Sequence, residues 1–446
     1  MENKGKIIWN IVKFILAVAV IVVAWNVYQM FNFNAYTKAE YHLGTSTFMR
    51  DSEVKYGSSN SYKIQSDEFN DAMFSKTIEV VPNTSYRVKC KIKTKDVVAQ
   101  DIYADVGAHI CIGNTFEKSD NVIGTKDWTE VEFCFNSKNR EKVDIGFRLG
   151  GTEGEAKGTA WYTDFSIEAG VADTSNTWNF LCLLFDNVDV DMNGKNIKLE
   201  LTTTNKEDIS NCMTRFKKSM EEMSLGKMKI NYDIFEVTTP ITHFSKDTEN
   251  GYYVSGYDVR NVLDPYIKEG KYDHIFIVFR TGDMGQKEAI PVSDWIGLGS
   301  MQYRGLGYSN IRLPDDDNTY LYKYDVRANI FPEEVFVHEF LHTLERNADE
   351  YGYDRPVLHN NAEYNYPVEI LVGLKKWYQD YMNKEIKTQN GKVGLPSQIY
   401  TLKPPKTSEF EYSRKLDNLR EPENIIEDLN FAFNRIKNLF DKKEAE

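Results

Sequence analysis

His338 and His342 stand four residues apart in the run Val335-Phe336-Val337-His338-Glu339-Phe340-Leu341-His342. On an α-helix that spacing stacks two imidazoles one turn apart on the same face. Two imidazoles so placed can ligate one zinc ion at about 2.0–2.1 Å each. Glu339, between them, is positioned as a general base. It would take a proton from the attacking water that the metal polarises and hand it to the leaving amine of a peptide bond. A catalytic zinc takes three protein ligands and leaves a fourth position open. His359 is the first candidate for the third ligand, because the residues from Gly352 to His359 can span about 23 Å when extended, enough to return beside His342. Asp349 is the alternative, with Glu350 and Glu363 behind it. On a helix that stays straight to Tyr351, Asp349 would lie about 10 Å along the axis from His342. Tyr364 and Tyr366 follow closely, and a tyrosine beside the metal could donate to an oxyanion.

The helix that must carry these residues starts well. Pro332 suits a first turn, and Glu333 and Glu334 complement the dipole. Gly352 is a natural stop. Upstream, Trp178 to Phe185 and His274 to Arg280 are nearly continuous apolar runs, as buried strands require. Ile209 to Met223 and Val259 to Ile267 have helical spacing, and Met228 to Val237 reads as a strand. Strands alternating with helices predict an α/β layer. His274, heading an apolar strand, is read as structural. In Ile296 to Tyr308 the glycines suggest bulges or the close approach of another backbone. The segment is either a glycine-kinked hairpin or an edge strand that pairs with a substrate main chain.

The segment His338-Glu339-Phe340-Leu341-His342, followed by Ala348-Asp349-Glu350-Tyr351, resembles the IgA-specific metalloendopeptidase family. The resemblance is tight over about fourteen residues and loose over 176–385. It implies a secreted zinc endopeptidase of metzincin-like form. The chain departs from the family at Thr343-Leu344-Glu345-Arg346, where members carry small residues and glycine.

A different pattern precedes this region. From 35 to 170, short runs such as Tyr86 to Ile92, Thr129 to Phe135 and Val143 to Leu149 alternate apolar and polar residues between turns, predicting an antiparallel sandwich. Asn70 to Ile78, Gly124 to Thr129 and Gly158 to Ile167 together resemble a jelly-roll carbohydrate-binding module. The resemblance implies a sugar-binding face, with Trp128 as the candidate stacking residue, and a structural calcium, with Asp164 as its candidate ligand. Trp161 is read as a core aromatic.

The chain has 446 residues, 41% hydrophobic, with a formal net charge of −13. The length requires more than one domain, and the acidity argues against nucleic acid as a partner. Ile7 to Val27 is long and apolar enough to span a bilayer, with Lys4, Lys6 and Lys13 on its cytoplasmic side. The expectation is a signal anchor in a single-pass cell-membrane protein with extracellular domains. A cleaved secretory signal, ending near Ala24, is the other reading. Five cysteines without a C-x-x-C indicate small buried hydrophobes, with one disulfide in the first domain left open. The expected layout is therefore a stub and transmembrane helix over 1–30, an all-β jelly-roll sandwich over 35–170, and an α/β zinc peptidase domain over 176–446, ending in amphipathic Glu423 to Glu446. Its substrate would be an extracellular protein or glycoprotein. The rival is a surface glycan-binding or adhesion protein whose peptidase domain is inactive.

Overall fold

The computed structural model describes residues 36–41, 44–101, 104–113, 115–267, 270–282, 289–293, 295–313, 332–366, 373–410 and 414–415. The expected membrane segment Ile7 to Val27 and the amphipathic Glu423 to Glu446 lie outside these residues. Among the described residues no helix is long and apolar enough to cross a membrane.

Nine strands form the first body: β1 (Thr37–Glu40), β2 (Ser46–Tyr56), β3 (Ser59–Asn70), β4 (Ala72–Glu79), β5 (Ser85–Ala99), β6 (Gly107–Ile112), β7 (Gly124–Asn136), β8 (Lys142–Gly150) and β9 (Ala156–Ala169). They make two antiparallel sheets, β1-β4-β8-β6 and β2-β3-β9-β5-β7, with the short Arg414–Lys415 strand added against β9. Period-two alternation explains the sandwich. Ile64, Val88, Ile92 and Tyr162 from one sheet meet Phe74, Ile110 and Phe147 from the other in a single core. Trp161 is covered, as the sequence reading expected, though from the outer side of its sheet. It is buried, but Ala160 and Tyr162 on either side take the inter-sheet positions, so alternation turns Trp161 to the outer face. There its indole N–H donates to Asp51 Oδ2 at 2.9 Å, and Lys63 covers the ring at 5.7 Å. Among the described residues no cysteine forms a disulfide. Cys90 donates to the Thr163 carbonyl at 3.2 Å and Cys111 lies 3.8 Å from Met73 Sδ, so the open possibility of a disulfide falls.

The second body is an α/β layer. Its elements are β10 (Thr177–Phe185), the hairpin β11 (Asn187–Met192) and β12 (Lys195–Glu200), α1 (Thr203–Met223), β13 (Lys229–Val237), the hairpin β14 (Ser245–Asp247) and β15 (Gly251–Tyr253), α2 (Arg260–Ile267), β16 (His274–Arg280), β17 (Gly297–Tyr303), β18 (Leu306–Leu313), α3 (Glu334–Glu350) and α4 (Gly373–Asn383). The sheet order is β13-β10-β16-β18-β17. Four strands are parallel, and β17 closes one edge antiparallel to β18. The apolar run of β10 is buried on both faces. Trp178, Phe180, Cys182 and Leu184 face α1, α3 and α4, while Leu181, Leu183 and Phe185 face the hairpins and α2. Thr202 and Asn205 cap α1 reciprocally.

α3 presents Phe336, Val337, Phe340, Leu341 and Leu344 to the sheet. Phe340 meets Phe180 edge-on at 4.8 Å and Trp178 at 5.2 Å. Gly352, with φ 73°, ends the helix as expected. The sandwich seats on the C-terminal end of α3. Lys138 pairs with Glu350, and the Tyr351 hydroxyl donates to Asn136 Oδ1 at 3.2 Å and Asn83 Oδ1 at 3.3 Å.

Candidate metal centre

Burial of the apolar face of α3 leaves His338 and His342 on the face turned away from the sheet. His359 reaches them from the 3-10 turn Leu358–Tyr364. The Nε2 atoms of His338 and His342 are 3.1 Å apart, and those of His359 and His342 are also 3.1 Å apart. Among the described residues these three are the group of His, Cys, Asp or Glu side chains close enough to share an ion, with all ligand atoms within 4.8 Å of one another.

The outer nitrogens settle which way the inner ones point. Tyr378 donates its hydroxyl proton to Glu334 Oε1, so its oxygen accepts from His338 Nδ1–H at 2.9 Å. His342 Nδ1 lies 2.7 Å from Glu345 Oε2 and donates to it. Both rings therefore turn a lone pair at Nε2 toward the centre. Burial, then the neighbouring His342 and His359, push His338 down to about 3, and His359 is lowered for the same kind of reason. Neutral ring nitrogens turned on one another repel unless a cation accepts them. Tetrahedral zinc with 2.0–2.1 Å bonds would set neighbouring nitrogens about 3.3 Å apart. The residues present thus fit a three-histidine transition-metal site, imidazole being a donor that suits zinc.

Glu339 points toward β17. A Cβ at Gly297 would lie 2.4 Å from Glu339 Oε1, and one at Gly299 2.6 Å from its carbonyl oxygen. The glycines read from the sequence as marking a close approach admit this carboxyl. β17 bulges between Leu298 and Met301, Ser300 takes φ 62°, and the Gly299 N–H donates to Glu339. Burial, then the nearby Glu334, push the Glu339 carboxyl up to about 8 despite that N–H. Arg346 holds the bulge down, donating to the carbonyls of Ser300 at 3.1 Å and Met301 at 2.8 Å.

The other sequence candidates are engaged elsewhere. Asp349 accepts from Arg355 at 2.6 Å, Glu350 pairs with Lys138, and Glu363 accepts from Asn360 at 3.0 Å. The helix stays intact through Glu350, which carries Asp349 away from the histidines as its length dictates. Tyr364 stacks on Trp377, and Tyr366 donates to Asp380. His274 is buried between Ser309 and Thr343 hydroxyls, each at 3.2 Å. On the sandwich, half-buried Trp128 meets exposed Tyr56 edge-on at 5.9 Å, with Lys91 over the Tyr56 ring at 5.5 Å. Asp164 is exposed at a positive-φ position and belongs to no three-residue cluster among the described residues. Sequence reasoning missed Glu345 and Tyr378. Glu345 could have been found, since i,i+3 neighbours on a helix meet.

No family model matches the chain, and no curated protein matches it. Solved structures with a likeness include a carbohydrate-binding module of family 4, at 17% identity over 30% of this chain and 86% of that chain, TM-score 0.22. A second is TmCBM61, solved with β-1,4-galactotriose, at 16% identity over 31% and 92%, TM-score 0.23. A third is the enzymatically active domain of bacteriophage CBA120 tailspike protein 4, at 15% identity over 31% of this chain and 20% of that chain, TM-score 0.23.

Proposed function

We propose that the chain is a zinc-dependent hydrolase of peptide bonds acting on extracellular proteins or glycoproteins. The observation that carries this reading is the convergence of His338, His342 and His359 through Nε2, with the Glu339 carboxyl on the same helix. Zinc held there would polarise the scissile carbonyl and acidify a water. Glu339 would accept the proton of that water and deliver it to the leaving nitrogen. The Gly299 N–H and the walls of Gly297 and Gly299 orient its carboxyl. β17 lies at one edge of the sheet, a place where an extended peptide could add alongside it. The apolar segment Ile7 to Val27 supports a location at the cell surface.

The test is metal content and hydrolysis of casein by the purified chain. About one zinc per chain, with turnover abolished by chelation and restored by zinc, is expected. A folded chain that takes up no zinc sinks the reading.

A second reading, glycan binding by the sandwich, is favoured by one observation, the accessible Tyr56–Trp128 pair beside Lys91 and Lys93. Aromatic rings flanked by hydrogen-bonding groups suit a sugar ring. Retention on immobilised polysaccharide, lost in Trp128→Ala, is expected. Equal retention of both proteins removes the support.

A further inference from the structure

Glu345 is buried and its two oxygens face different parts of the site. Oε2 accepts from His342 Nδ1 at 2.7 Å. Oε1 accepts from the Leu358 N–H at 2.8 Å, from the Tyr381 hydroxyl at 3.1 Å and from Arg355. Leu358 immediately precedes His359. The Leu358 peptide is gripped from its other side as well, its carbonyl accepting from Trp377 Nε1 at 2.9 Å. Pro356, two residues earlier, has its carbonyl held by Arg355 at 3.0 Å and Tyr381 at 3.1 Å. His359 itself is exposed in a short 3-10 turn, with its ring against those of His342 at 5.0 Å and His338 at 4.8 Å. The backbone feeding it is what is held, and Glu345 is the group common to that backbone and to His342.

We propose that Glu345 is a positioning residue that assembles the three-histidine centre, one oxygen orienting His342 and the other anchoring the segment that delivers His359. The inference rests on the metal-site reading and deepens it. A carboxylate in this role differs from an ordinary partner of a single ligand, because its loss would disturb two ligands at once. It also differs from a stability element, because its effect must run through His342 and His359.

The experiment compares the full chain with Glu345→Gln, His359→Ala, the double variant and Arg355→Gln. Zinc affinity is measured by competition with a chromophoric chelator, and the cobalt(II) form is followed by its visible absorption. Glu345→Gln should lose about 10–100-fold in zinc affinity, the range for removing an outer partner of a ligand, and the intensity of its cobalt bands should change. The double variant should bind zinc more weakly than His359→Ala alone, through the lost partner of His342, but by less than the two single losses added together, since both remove the hold on His359. Arg355→Gln, which leaves the carboxylate but removes its brace, should shift the affinity in the same direction by less. Parent-like affinity and cobalt spectrum in Glu345→Gln, or losses that simply add in the double variant, would overturn the proposal while leaving the metal site standing. If Glu345→Gln does not fold, unchanged affinity in Arg355→Gln decides against the proposal. A parent chain that binds neither metal overturns the metal-site reading and this inference together.

Discussion

Glu339 and His338 are neighbours on α3 yet meet different surroundings. His338 looks toward two other imidazoles, whereas Glu339 presses into a notch made by Gly297 and Gly299. Any side chain at Gly299 would meet the backbone oxygen of Glu339 at 2.6 Å, which no rotamer change relieves. Gly299→Ala should therefore cost roughly 1–3 kcal/mol, as overpacked sites do, and lower kcat more than zinc affinity. Thermal melts and metal titration of the same sample check both halves. Glu339→Gln keeps the shape and removes the proposed base. It should retain zinc and lose about 10²–10⁴-fold in turnover, the usual contribution of general base catalysis. Turnover above a tenth of the parent would reject the assigned role. His338, Glu339 and His342 were legible in the sequence because the helical period fixes their relative places. His359 was legible only as a matter of reach, since chain length says where a residue can go and not where it is held. Tyr378 was not legible, because its contact with His338 Nδ1 arises from two helices meeting.

At the scale of elements, α3 is fixed by what it buries. Phe340 fits between Trp178 and Phe180, on the face opposite the histidines. Phe340→Ala should cost about 3–5 kcal/mol, as large core truncations do. If the helix moves in response, zinc affinity should fall with it. Denaturant midpoints and chelator competition on one preparation measure the two effects. The apolar strands β10 and β16 were plain in the sequence, because burial on both faces leaves an unbroken hydrophobic run. The bulge in β17 was visible only as a cluster of glycines. Which glycine admits which neighbour depends on the sheet order, and local sequence does not encode that. Trp161 was read as a buried aromatic and is one, but which face of its strand it takes was not read. Its place in the last strand suggested burial, and strand alternation assigns it to the outer face, where Lys63 and Asp51 cover it.

At the scale of the whole molecule, the junction between the two bodies is polar. Asp173, in the connection, pairs with buried Lys403 and accepts from the Ser175 N–H at 2.9 Å. Burial opposes its ionisation, but Lys403 and Ser175 outweigh burial and bring its pKa down to about 2. A folded-state pKa below the unfolded value of about 3.9 contributes stability that is fully present above pH ~4 and is lost as pH falls through about 2. Asp173→Asn should therefore flatten the acid limb of the stability curve between pH ~4 and ~2, leaving the slope near neutrality unchanged. Melting temperatures across that range, parent against variant, provide the check. A parent-like acid limb in Asp173→Asn would exclude this pair as a source of acid sensitivity.

The seating of the sandwich on the end of α3, through Asn83, Asn136, Lys138, Tyr351 and Glu350, bears on how such chains can be recombined. A module tethered by a slack linker can be exchanged for another by cutting in the linker. Here the cut would strand polar side chains on both sides, five of them from three separate stretches of sequence. A working chimera must carry the matching set across with the graft, so the inheritable unit is the pair of bodies with their shared contact.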